Sequence, residues 1–346
     1  MHSENNIHLS ICIPTYNRLN CLENCLESIK VAKNNFDFNF EVCISDNNPE
    51  GNAYSIVSKY TKYLKIKYIV NDKNIGIGKN IFNSVNSAEG EYSWIIGNDD
   101  MLVPYTFNIL SKIFNENKDV DFFYINSFSI NSKLILGNKR TFNFYKIQKK
   151  LTKFSNVKES KKVNFFDLID HKTSWDFMLG IFLSIFRTKK WHKNKHKIDL
   201  EKINDSNFYT NQYNTFPHLI IFANAFKNSQ AYIQHEPLSI NLIGEREWAN
   251  LFPLIEAVRI PQVLDLYRKN GLPLFQYLIQ KNFALRKLFP GILKMIFFKK
   301  HNGLKHINFT NDILKNLYFP GVYIYGLYFS IYGLIKIILR KDSLFK

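Results

Sequence analysis

Short, largely apolar runs alternate with amphipathic stretches along the first hundred residues. Four of these runs predict buried strands because their apolar residues are adjacent in the chain. They cover residues 9–14, 40–45, 66–70 and 92–96. Three stretches between them, 19–33, 53–64 and 79–88, place apolar residues at helical spacing. Strands that alternate with helices predict an α/β fold, a mostly parallel sheet with helices on both faces.

The pattern changes after residue 104. It predicts a helix at 104–116 and a strand at 120–130, and later a helix at 217–227 and a strand at 231–243. Between these two pairs, residues 131–165 are polar and lysine-rich and predict an exposed excursion. The remainder, about 250–340, has a helical pattern in which prolines mark the ends of segments. The prolines stand at positions 253, 261, 273, 290 and 320.

Composition and charge divide the chain into two parts. Its 346 residues are 46% hydrophobic and 16% aromatic, which excludes a disordered protein and predicts two units or one large domain with an appendage. The whole chain has a formal net charge of +17. Residues 1–110 carry 9 bases and 12 acids, a net charge of −3, so residues 111–346 have a net charge of +20. The segment 281–346 alone has 12 bases and 2 acids. Such a distribution predicts an acidic partner for the C-terminal part.

The cysteines and the N-terminus indicate a reducing compartment. Cys12, Cys21, Cys25 and Cys43 are the four cysteines, and no second pair or histidine stands near them at zinc spacing. They are expected to be reduced thiols in or near a core. No basic segment followed by an apolar one opens the chain, so no signal peptide is expected. We therefore expect the protein in the cytoplasm, or on the membrane face that looks into it.

Polar clusters follow three of the four predicted strands. They are the segments 15–18 (Thr-Tyr-Asn-Arg), 46–48 (Asp-Asn-Asn) and 98–100 (Asn-Asp-Asp). Because ligands bind beyond the carboxyl ends of strands in an open parallel sheet, these clusters predict one shared site. The adjacent acids Asp99 and Asp100 repel each other unless a cation or hydrogen-bond donors lie between them. No glycine-lysine phosphate loop or dinucleotide glycine pattern is present, which argues against an ATPase and an NAD enzyme.

Four stretches together resemble family 2 glycosyltransferases with the GT-A nucleotide-sugar fold. They are residues 9–18, 41–48, 74–80 and 90–100, in the order that the family has them. The resemblance is strong over about 7–110 and weak over 165–250. The Gly97-Asn98-Asp99-Asp100 stretch is most similar to the subgroup that includes O-antigen abequosyltransferases.

By this resemblance, residues after the first three strands hold the nucleotide. Those that would line the nucleotide pocket are Pro14, Thr15, Tyr16 and Arg18. Asp46 would accept a hydrogen bond from the base. The ribose and sugar side would be shaped by Asn74, Gly76 and Asn80.

The resemblance also assigns a metal-binding motif after the fourth strand. Asn98, Asp99 and Asp100 stand for the family's Asp-X-Asp motif, with Asn98 in place of its first acid. Asp100 would bind Mg²⁺ or Mn²⁺ bridging the diphosphate, and Asp99 would face the ribose or the donor sugar. The cation would offset the negative charge that grows on the leaving diphosphate. A metal-free variant is the alternative.

The base that deprotonates the acceptor hydroxyl is less well defined. Family members usually place an acid pair at the start of a late helix, where this chain has His218. A histidine suits the task because its ordinary pKa is about 6.5, and a histidine hydrogen-bonded within the structure is the alternative. Asp176 and Asp205 are the rivals. Arg246 and Trp248 would contact the diphosphate or the sugar, or else are a surface arginine and a packed tryptophan.

The basic C-terminus predicts a membrane partner. Residues 317–339 are apolar and tyrosine-rich, but Pro320, three glycines and Lys336 favour an interfacial helix over a spanning one. Basic residues around such a helix are typical of enzymes that lie on anionic lipid. Packing of these helices on the catalytic domain is the alternative. Nucleic acid is not expected, because no recognised binding module is present and only 8 of the 46 basic residues are arginine.

These patterns predict an inverting glycosyltransferase on the inner face of the cell membrane. It would move a sugar from a nucleoside-diphosphate donor to a hydroxyl of a surface polysaccharide intermediate carried on a polyprenyl diphosphate. Residues 1–250 would form the catalytic domain, with a nucleotide-binding half at 1–110 and an acceptor half at 111–250, and 251–346 a helical, membrane-associating region. The alternatives are a nucleotidyltransferase for sugar phosphates and an inactive protein of the same fold that binds membranes.

Overall fold

The computed structural model describes residues 7–136, 143–203, 209–244, 247–297 and 303–338. The chain forms two compact units. The first comprises Met1–Ser206 and Phe216–Glu245, and the second comprises Asn207–Thr215 and Arg246–Lys346.

A ten-stranded mixed sheet forms the centre of the first unit, in the order β3-β2-β1-β4-β9-β6-β10-β5. Two short strands lie off this path, β7 on β6 and β8 on β10. The strands are β1 (Leu9–Thr15), β2 (Phe40–Asp46), β3 (Ile66–Val70), β4 (Tyr92–Ile95), β5 (Met101–Leu102), β6 (Phe122–Asn131), β7 (Thr152–Lys153), β8 (Lys161–Asn164), β9 (Ser184–Arg187) and β10 (Gln230–Ile243).

The first four strands are parallel, which brings their carboxyl ends to one edge. β1 pairs with β2 and β4, and β2 pairs with β3. In this register Thr15 lies opposite Asp46, and Asp46 opposite Val70. β9 is antiparallel to both β4 and β6, and β10 is parallel to β6. The predicted mostly parallel α/β sheet is confirmed, with its antiparallel strands in the half that follows residue 100.

Helices connect the strands of the first unit. Its α-helices are α1 (Leu19–Asn35), α2 (Tyr54–Tyr60), α3 (Ile77–Asn86), α4 (Thr106–Glu116), α5 (Lys133–Leu136), α6 (Phe144–Ile147), α7 (Thr188–Asn194), α8 (Leu200–Ile203) and α10 (Pro217–Ala225). Its 3₁₀-helices are Gln148–Lys150, Phe165–Leu168, Trp175–Met178, Ile181–Leu183 and Lys195–Lys197.

The excursion predicted at 131–165 is largely exposed where it is described, but it is anchored at several points. β7 and β8 add to the sheet, and Phe144 and Phe165 are buried. Residues 137–142 lie outside the described part of the chain.

Aromatic side chains fill much of the core of the first unit. Phe122 of β6 lies edge-on to four phenylalanine rings at centroid distances of 5.0–5.7 Å. These rings belong to Phe165, Phe177, Phe222 and Phe226. Edge-to-face pairs of this kind add to the stabilisation from burial. The four cysteines are free and buried, as the sequence predicted.

A separate core cluster lies where β5 meets β10. It contains Met101, Val103, Ile130, Phe144, Ile240 and Leu242. Ile240 and Leu242 alternate along β10 with Ser239 and Asn241, so the two polar side chains face the other side of the sheet. This alternation fixes which β10 side chains can reach the carboxyl edge of β4.

The second unit is helical, as predicted. Its α-helices are α9 (Gln212–Thr215), α11 (Phe252–Leu254), α12 (Ile260–Lys269), α13 (Leu274–Leu285), α14 (Leu288–Phe297) and α15 (Pro320–Ile338). The 3₁₀-helices Glu247–Leu251, Gly303–His306 and Leu314–Asn316 and the π-helical turns Ile255–Arg259 and Phe309–Ile313 complete it. Pro253, Pro273, Pro290 and Pro320 lie at or near the starts of helices, where a missing N–H costs no hydrogen bond. Pro261 does not mark a segment end, because it lies within the continuous helical run 252–269, just after the π-helical turn Ile255–Arg259.

One face of α15 packs on its neighbours and the other is exposed and apolar. Val322 is buried in a cluster with Leu285, Leu288 and Phe319. The side chains of Tyr323, Ile324, Leu327, Tyr328 and Ile331 are exposed and recur at the spacing of one helical face, and Tyr325 and Tyr332 are also exposed. Within the described ranges, no helix combines the length and the hydropathy needed to cross a membrane.

Candidate functional site

Thr15, the last residue of β1, joins three neighbouring segments. Its backbone oxygen accepts hydrogen bonds from the backbone N–H of Asn47 (2.9 Å) and the side-chain amide of Asn80 (3.2 Å). Its hydroxyl accepts one from the side-chain amide of Asn98 (2.8 Å). All four residues are buried. These bonds gather the ends of β1, β2 and β4 and the first turn of α3 around one point, as the strand-end clusters predicted.

Asp46 is a fully buried carboxylate at the end of β2. One oxygen accepts hydrogen bonds from the Tyr68 hydroxyl (2.6 Å) and the Ala53 backbone N–H (3.2 Å), and the other accepts one from the Asn48 backbone N–H (3.0 Å). Burial, followed by the bond to Asp46, raises the pKa of Tyr68 well above its usual value. Asp46 therefore fixes the turn after β2, and its predicted contact with the base stays a prediction.

Amide side chains form a network beside this turn. The Asn74 oxygen accepts hydrogen bonds from the Asn47 amide (2.7 Å) and the Gly76 backbone N–H (3.0 Å). Buried Asn71 donates to the Asn80 oxygen (3.0 Å). Gly76 has φ +80°, a conformation that favours glycine, and it leads the chain into α3. Asn74, Gly76 and Asn80 thus meet at the edge where the sequence placed them.

The turn between β1 and α1 presents a mixed surface at the same edge. Pro14 is partly buried, whereas Tyr16 exposes 39% of its surface. Asn17 has φ +52° and its side-chain oxygen accepts hydrogen bonds from the amides of Asn48 (2.6 Å) and Asn52 (3.0 Å). These bonds hold the turn against the segment after β2 and leave the Tyr16 ring accessible.

The two acids after β4 converge over Gly97. A Cβ atom at Gly97 would lie 2.6 Å from Asp99 Oδ1 and 3.1 Å from Asp100 Oδ2, so only glycine fits without movement. Asp99 pairs with Arg18 at 2.9 Å. Asp100 is buried and accepts hydrogen bonds from the Gly97 backbone N–H (2.7 Å) and the Asn241 amide (2.8 Å). The acid pair is therefore held in place by an arginine and by neutral donors.

This donor set fits a divalent cation that also binds phosphate. A hard cation takes oxygen ligands, and few of them need come from the protein when phosphates supply the rest. Asp99 Oδ1 and Asp100 Oδ2 lie 2.6 and 3.1 Å from the position that a Cβ atom of residue 97 would take, so both acids have an oxygen beside Gly97. Within the described residues, no cluster of three or more His, Cys, Asp or Glu side chains forms a complete metal site. Cation binding by Asp99 and Asp100 therefore stays a prediction.

Asp176 lies in the 3₁₀-helix Trp175–Met178 and is half-buried. Burial raises the pKa of its carboxyl to about 6. The pKa of Tyr124 is raised, first by burial of its phenol and in addition by the charge of Asp176. A carboxylate with a pKa near neutrality can accept a proton from an acceptor hydroxyl and return it to solvent.

His218 has different properties. It is 3% exposed at the start of α10, and neither ring nitrogen has a hydrogen-bond partner within the described structure. The rings of Phe216 and Phe222 lie edge-on to it at 6.1 and 5.6 Å. Burial lowers the pKa of His218 to about 3. This histidine is a packed interior side chain that stays neutral, and its predicted role as base is untested.

Three further predicted residues have no described side chain. Asp205 and Arg246 lie outside the described residues. For Trp248 the structure describes the backbone alone, in the 3₁₀-helix Glu247–Leu251. Their predicted contacts with acceptor, diphosphate or sugar stay predictions.

The structure adds residues that the sequence did not single out. Asn241 reaches Asp100 from a strand 141 positions later, and Tyr68 reaches Asp46 from β3. The signal for Asn241 is a polar residue between Ile240 and Leu242 in an apolar strand. That alternation shows that Asn241 lies on the opposite side of β10 from Ile240 and Leu242, but it does not show that Asn241 contacts Asp100.

The mostly parallel sheet with helices has the fold of GT-A glycosyltransferases. Residues 10–176 match the family model of glycosyl transferase family 2. The chain therefore carries a family 2 glycosyltransferase domain with the GT-A fold. The predicted family and fold are confirmed.

Two curated relatives match part of the chain. Abequosyltransferase RfbV of Salmonella typhimurium is 35% identical over 114 residues, which are 32% of this chain and 34% of that protein. The GalNAc(5)-diNAcBac-PP-undecaprenol beta-1,3-glucosyltransferase of Campylobacter jejuni is 32% identical over 111 residues, 31% and 35% of the two chains. The chain spans about a third of the length of these relatives.

Solved structures of S. aureus TarS 1-349 are similar over most of the chain. The complex with UDP-GlcNAc has a TM-score of 0.54 at 17% identity and covers 94% of this chain and 80% of that one. The complex with UDP has a TM-score of 0.53 at 18% identity and covers 86% and 74%. At this identity the similarity establishes the fold.

Proposed function

We propose that this protein transfers a sugar from a nucleoside-diphosphate donor to a hydroxyl group of an acceptor. The observation that carries the proposal is the convergence of Asp99 and Asp100 over Gly97, at the edge where β1 and β2 also end. The family 2 domain and the fold shared with a protein that binds UDP-GlcNAc support a nucleotide sugar as donor.

The donor would lie across the carboxyl ends of β1, β2 and β4. The exposed ring of Tyr16 offers a stacking surface, and the amides around Asn47 and Asn74 offer both donors and acceptors to a base or ribose. Buried Asp46 holds the turn that presents these groups. The base is not assigned, and UDP is the first choice because the TarS structures contain it.

A divalent cation, Mg²⁺ or Mn²⁺, would be held by Asp100 and Asp99 together with the donor diphosphate. When bound, it offsets the negative charge that develops on the departing diphosphate. Arg18, which exposes 39% of its side chain and pairs with Asp99, is a second positive group at this position. The hydrogen bonds from Gly97 and Asn241 keep the Asp100 carboxylate oriented.

Asp176 is the residue that we assign as base. Its raised pKa of about 6 lets it take the proton of the acceptor hydroxyl near neutral pH, whereas a buried His218 with a pKa of about 3 holds protons poorly. The acceptor oxygen then bonds to the anomeric carbon as the bond from that carbon to the diphosphate oxygen breaks. A single displacement of this kind inverts the anomeric configuration.

The acceptor we propose is a surface-polysaccharide or O-antigen intermediate linked to a polyprenyl diphosphate. The C. jejuni relative acts on an undecaprenol-linked substrate by its name, and RfbV is an abequosyltransferase. These matches cover about a third of each relative, and they support the class of acceptor rather than a particular one.

A lipid-linked acceptor places the enzyme at an anionic membrane, on its cytoplasmic face. The exposed apolar face of α15 supports this, because Ile324 and Leu327 expose about two thirds of their surface. The 12 bases against 2 acids in 281–346 match anionic headgroups in charge. Apolar side chains in the headgroup region with basic residues nearby are typical of peripheral enzymes.

Donor turnover tests the proposal. The purified chain is incubated with a panel of UDP-, GDP- and dTDP-sugars, Mn²⁺ and an undecaprenyl-diphosphate-linked sugar, and release of the nucleoside diphosphate is measured. One donor should be consumed in an acceptor-dependent way, with a linked product of matching mass. Absence of turnover and of thermal stabilisation by every donor would count against the assignment.

A further inference from the structure

Asn241 and Asp100 are brought together by strand pairing. β10 runs antiparallel to β5, with Ser239 opposite Leu102 and Ile240 opposite Met101. The next pair in this register is Asn241 and Asp100. Residues directly opposite each other in an antiparallel pair have their side chains on the same face of the sheet, so these two side chains are neighbours. The Asn241 amide nitrogen lies 2.8 Å from Asp100 Oδ1, and both residues are buried.

The chemistry of this contact is specific. Asp100 Oδ2 accepts a hydrogen bond from the backbone N–H of Gly97 (2.7 Å), so its two oxygens are each directed by a donor. Both donors are neutral. Neither of these two donors brings a positive charge that would compete with a cation, in contrast to the Arg18 contact of Asp99.

We infer that Asn241 is a positioning residue for the cation-binding carboxylate of Asp100. This inference rests on the proposed function, because it concerns how Asp100 meets a divalent cation and a diphosphate. Residues that hydrogen-bond to a metal-binding side chain orient that side chain, and their loss lowers metal affinity although every metal ligand is still present. Asn241 would act in this way from the acceptor half of the sheet on the nucleotide-binding half.

The test compares Asn241→Leu, Asn241→Ser and Ser239→Ala. Leucine keeps approximately the volume and removes the donor, and serine keeps a hydroxyl that can donate. Ser239 is the matched control: it is buried on the same face of β10, and its hydroxyl bonds to Ser127 (2.9 Å). Binding of Mn²⁺ is measured by electron paramagnetic resonance in the presence of UDP, and folding by thermal denaturation.

Asn241→Leu should raise the dissociation constant of Mn²⁺ about tenfold or more, the effect expected for loss of one charge-assisted hydrogen bond. Asn241→Ser should raise it by less, about three- to fivefold, and Ser239→Ala should bind Mn²⁺ as the wild type does. Excess Mn²⁺ should restore donor turnover in Asn241→Leu, which damage to the fold would not allow. If leucine prevents folding, the serine variant decides by the same measurement.

Three outcomes would overturn the inference. Mn²⁺ affinity within twofold of the wild type in a folded Asn241 variant would do so while leaving the proposed function standing. A wild-type protein that binds a nucleotide sugar but no Mn²⁺ at any concentration would remove the cation from the proposal, and the positioning role with it. An equal loss in Ser239→Ala would assign the effect to packing of β10.

Discussion

Replacement of Asp176 by asparagine should greatly slow transfer and at the same time stabilise the fold at neutral pH. The side chain is half-buried, and burial raises the pKa of its carboxyl to about 6 from an ordinary value of about 3.9. The native state therefore holds a proton more tightly than the unfolded state does. The stability that this group contributes is fully present below about pH 4 and is lost as the pH rises to about 6.

The size of the effect follows from that shift. Two pKa units correspond to about 3 kcal/mol at pH 7 at most, and partial exposure reduces this to about 1–2 kcal/mol. Asp176→Asn removes the buried charge and should recover this amount. For a domain of this size it raises Tm at pH 7.5 by about 3–6 °C, and by much less at pH 4.

The assay pairs stability with turnover. Thermal denaturation of wild type and Asp176→Asn is followed from pH 4 to pH 8, and donor turnover from pH 5 to pH 8. Wild-type turnover should rise with pH through about 6, because the base must be ionised. Turnover of the variant should fall by about 10²–10⁴-fold. Asp119→Asn is the control, since Asp119 is exposed and pairs with Lys162 (2.8 Å), so this variant should lose neither activity nor its pH profile.

A variant that keeps wild-type turnover would refute the assignment of Asp176 and return His218 to consideration. Unchanged stability at every pH would refute the reasoning about burial even if activity were lost.

The remaining predictions concern the acid pair, the sheet and the membrane face. Gly97→Ala places a Cβ atom 2.6 Å from Asp99 Oδ1, so the carboxylate must move by about 1 Å. In this variant kcat/KM should fall about 100-fold while Tm stays nearly unchanged. A wild-type rate would contradict the convergence of the two acids. Glu41→Gln should lower the free energy of unfolding by about 2–4 kcal/mol at pH 7, because buried Glu41 accepts hydrogen bonds from Ser10 (2.7 Å) and the Glu89 N–H (2.8 Å) and lies 3.0 Å from the Lys67 ammonium. Burial alone would raise the pKa of Glu41, but these groups outweigh it and hold that pKa below its usual value. Denaturant titration should therefore show that the difference in unfolding free energy between wild type and Glu41→Gln shrinks as the pH falls below about 4.5. A difference that does not depend on pH would argue against a role for the charge of the Glu41 carboxylate. Leu327→Glu in α15 should weaken sedimentation with vesicles containing phosphatidylglycerol, whereas Leu200→Glu, at a residue similarly exposed in α8, should not; equal binding of both variants would argue against the α15 face.

The first part of the sheet, within residues 1–110, could be predicted in detail because its signals are local. A buried parallel strand is visible as an apolar run, and the polar residues that end it lie next to it in the chain. Thr15, Asp46 and Asp100 were placed at one edge by this reasoning, and the structure links Thr15 to Asn98 and to the end of β2. The family resemblance then supplied the roles that the residues alone left open.

The second half of the sheet was harder to predict because its pairing joins distant segments. Nothing local indicates that β10 meets β5 and β6, or that Asn241 reaches an acid 141 positions earlier. The environment of His218 was also hidden, since the aromatic side chains that enclose it come from tertiary packing. The pKa values that distinguish it from Asp176 follow from burial, which a sequence pattern does not measure.

The central claim is that Asp100 and its neighbours bind a nucleoside-diphosphate sugar with a divalent cation. Calorimetric titration of wild type and Asp100→Ala with the donor that the protein consumes, with Mn²⁺ and with EDTA, tests it most directly. The wild type should bind the donor in a way that EDTA weakens, and a folded Asp100→Ala should bind it with Mn²⁺ about 100-fold more weakly or worse. Equal, EDTA-insensitive binding by both proteins would contradict it.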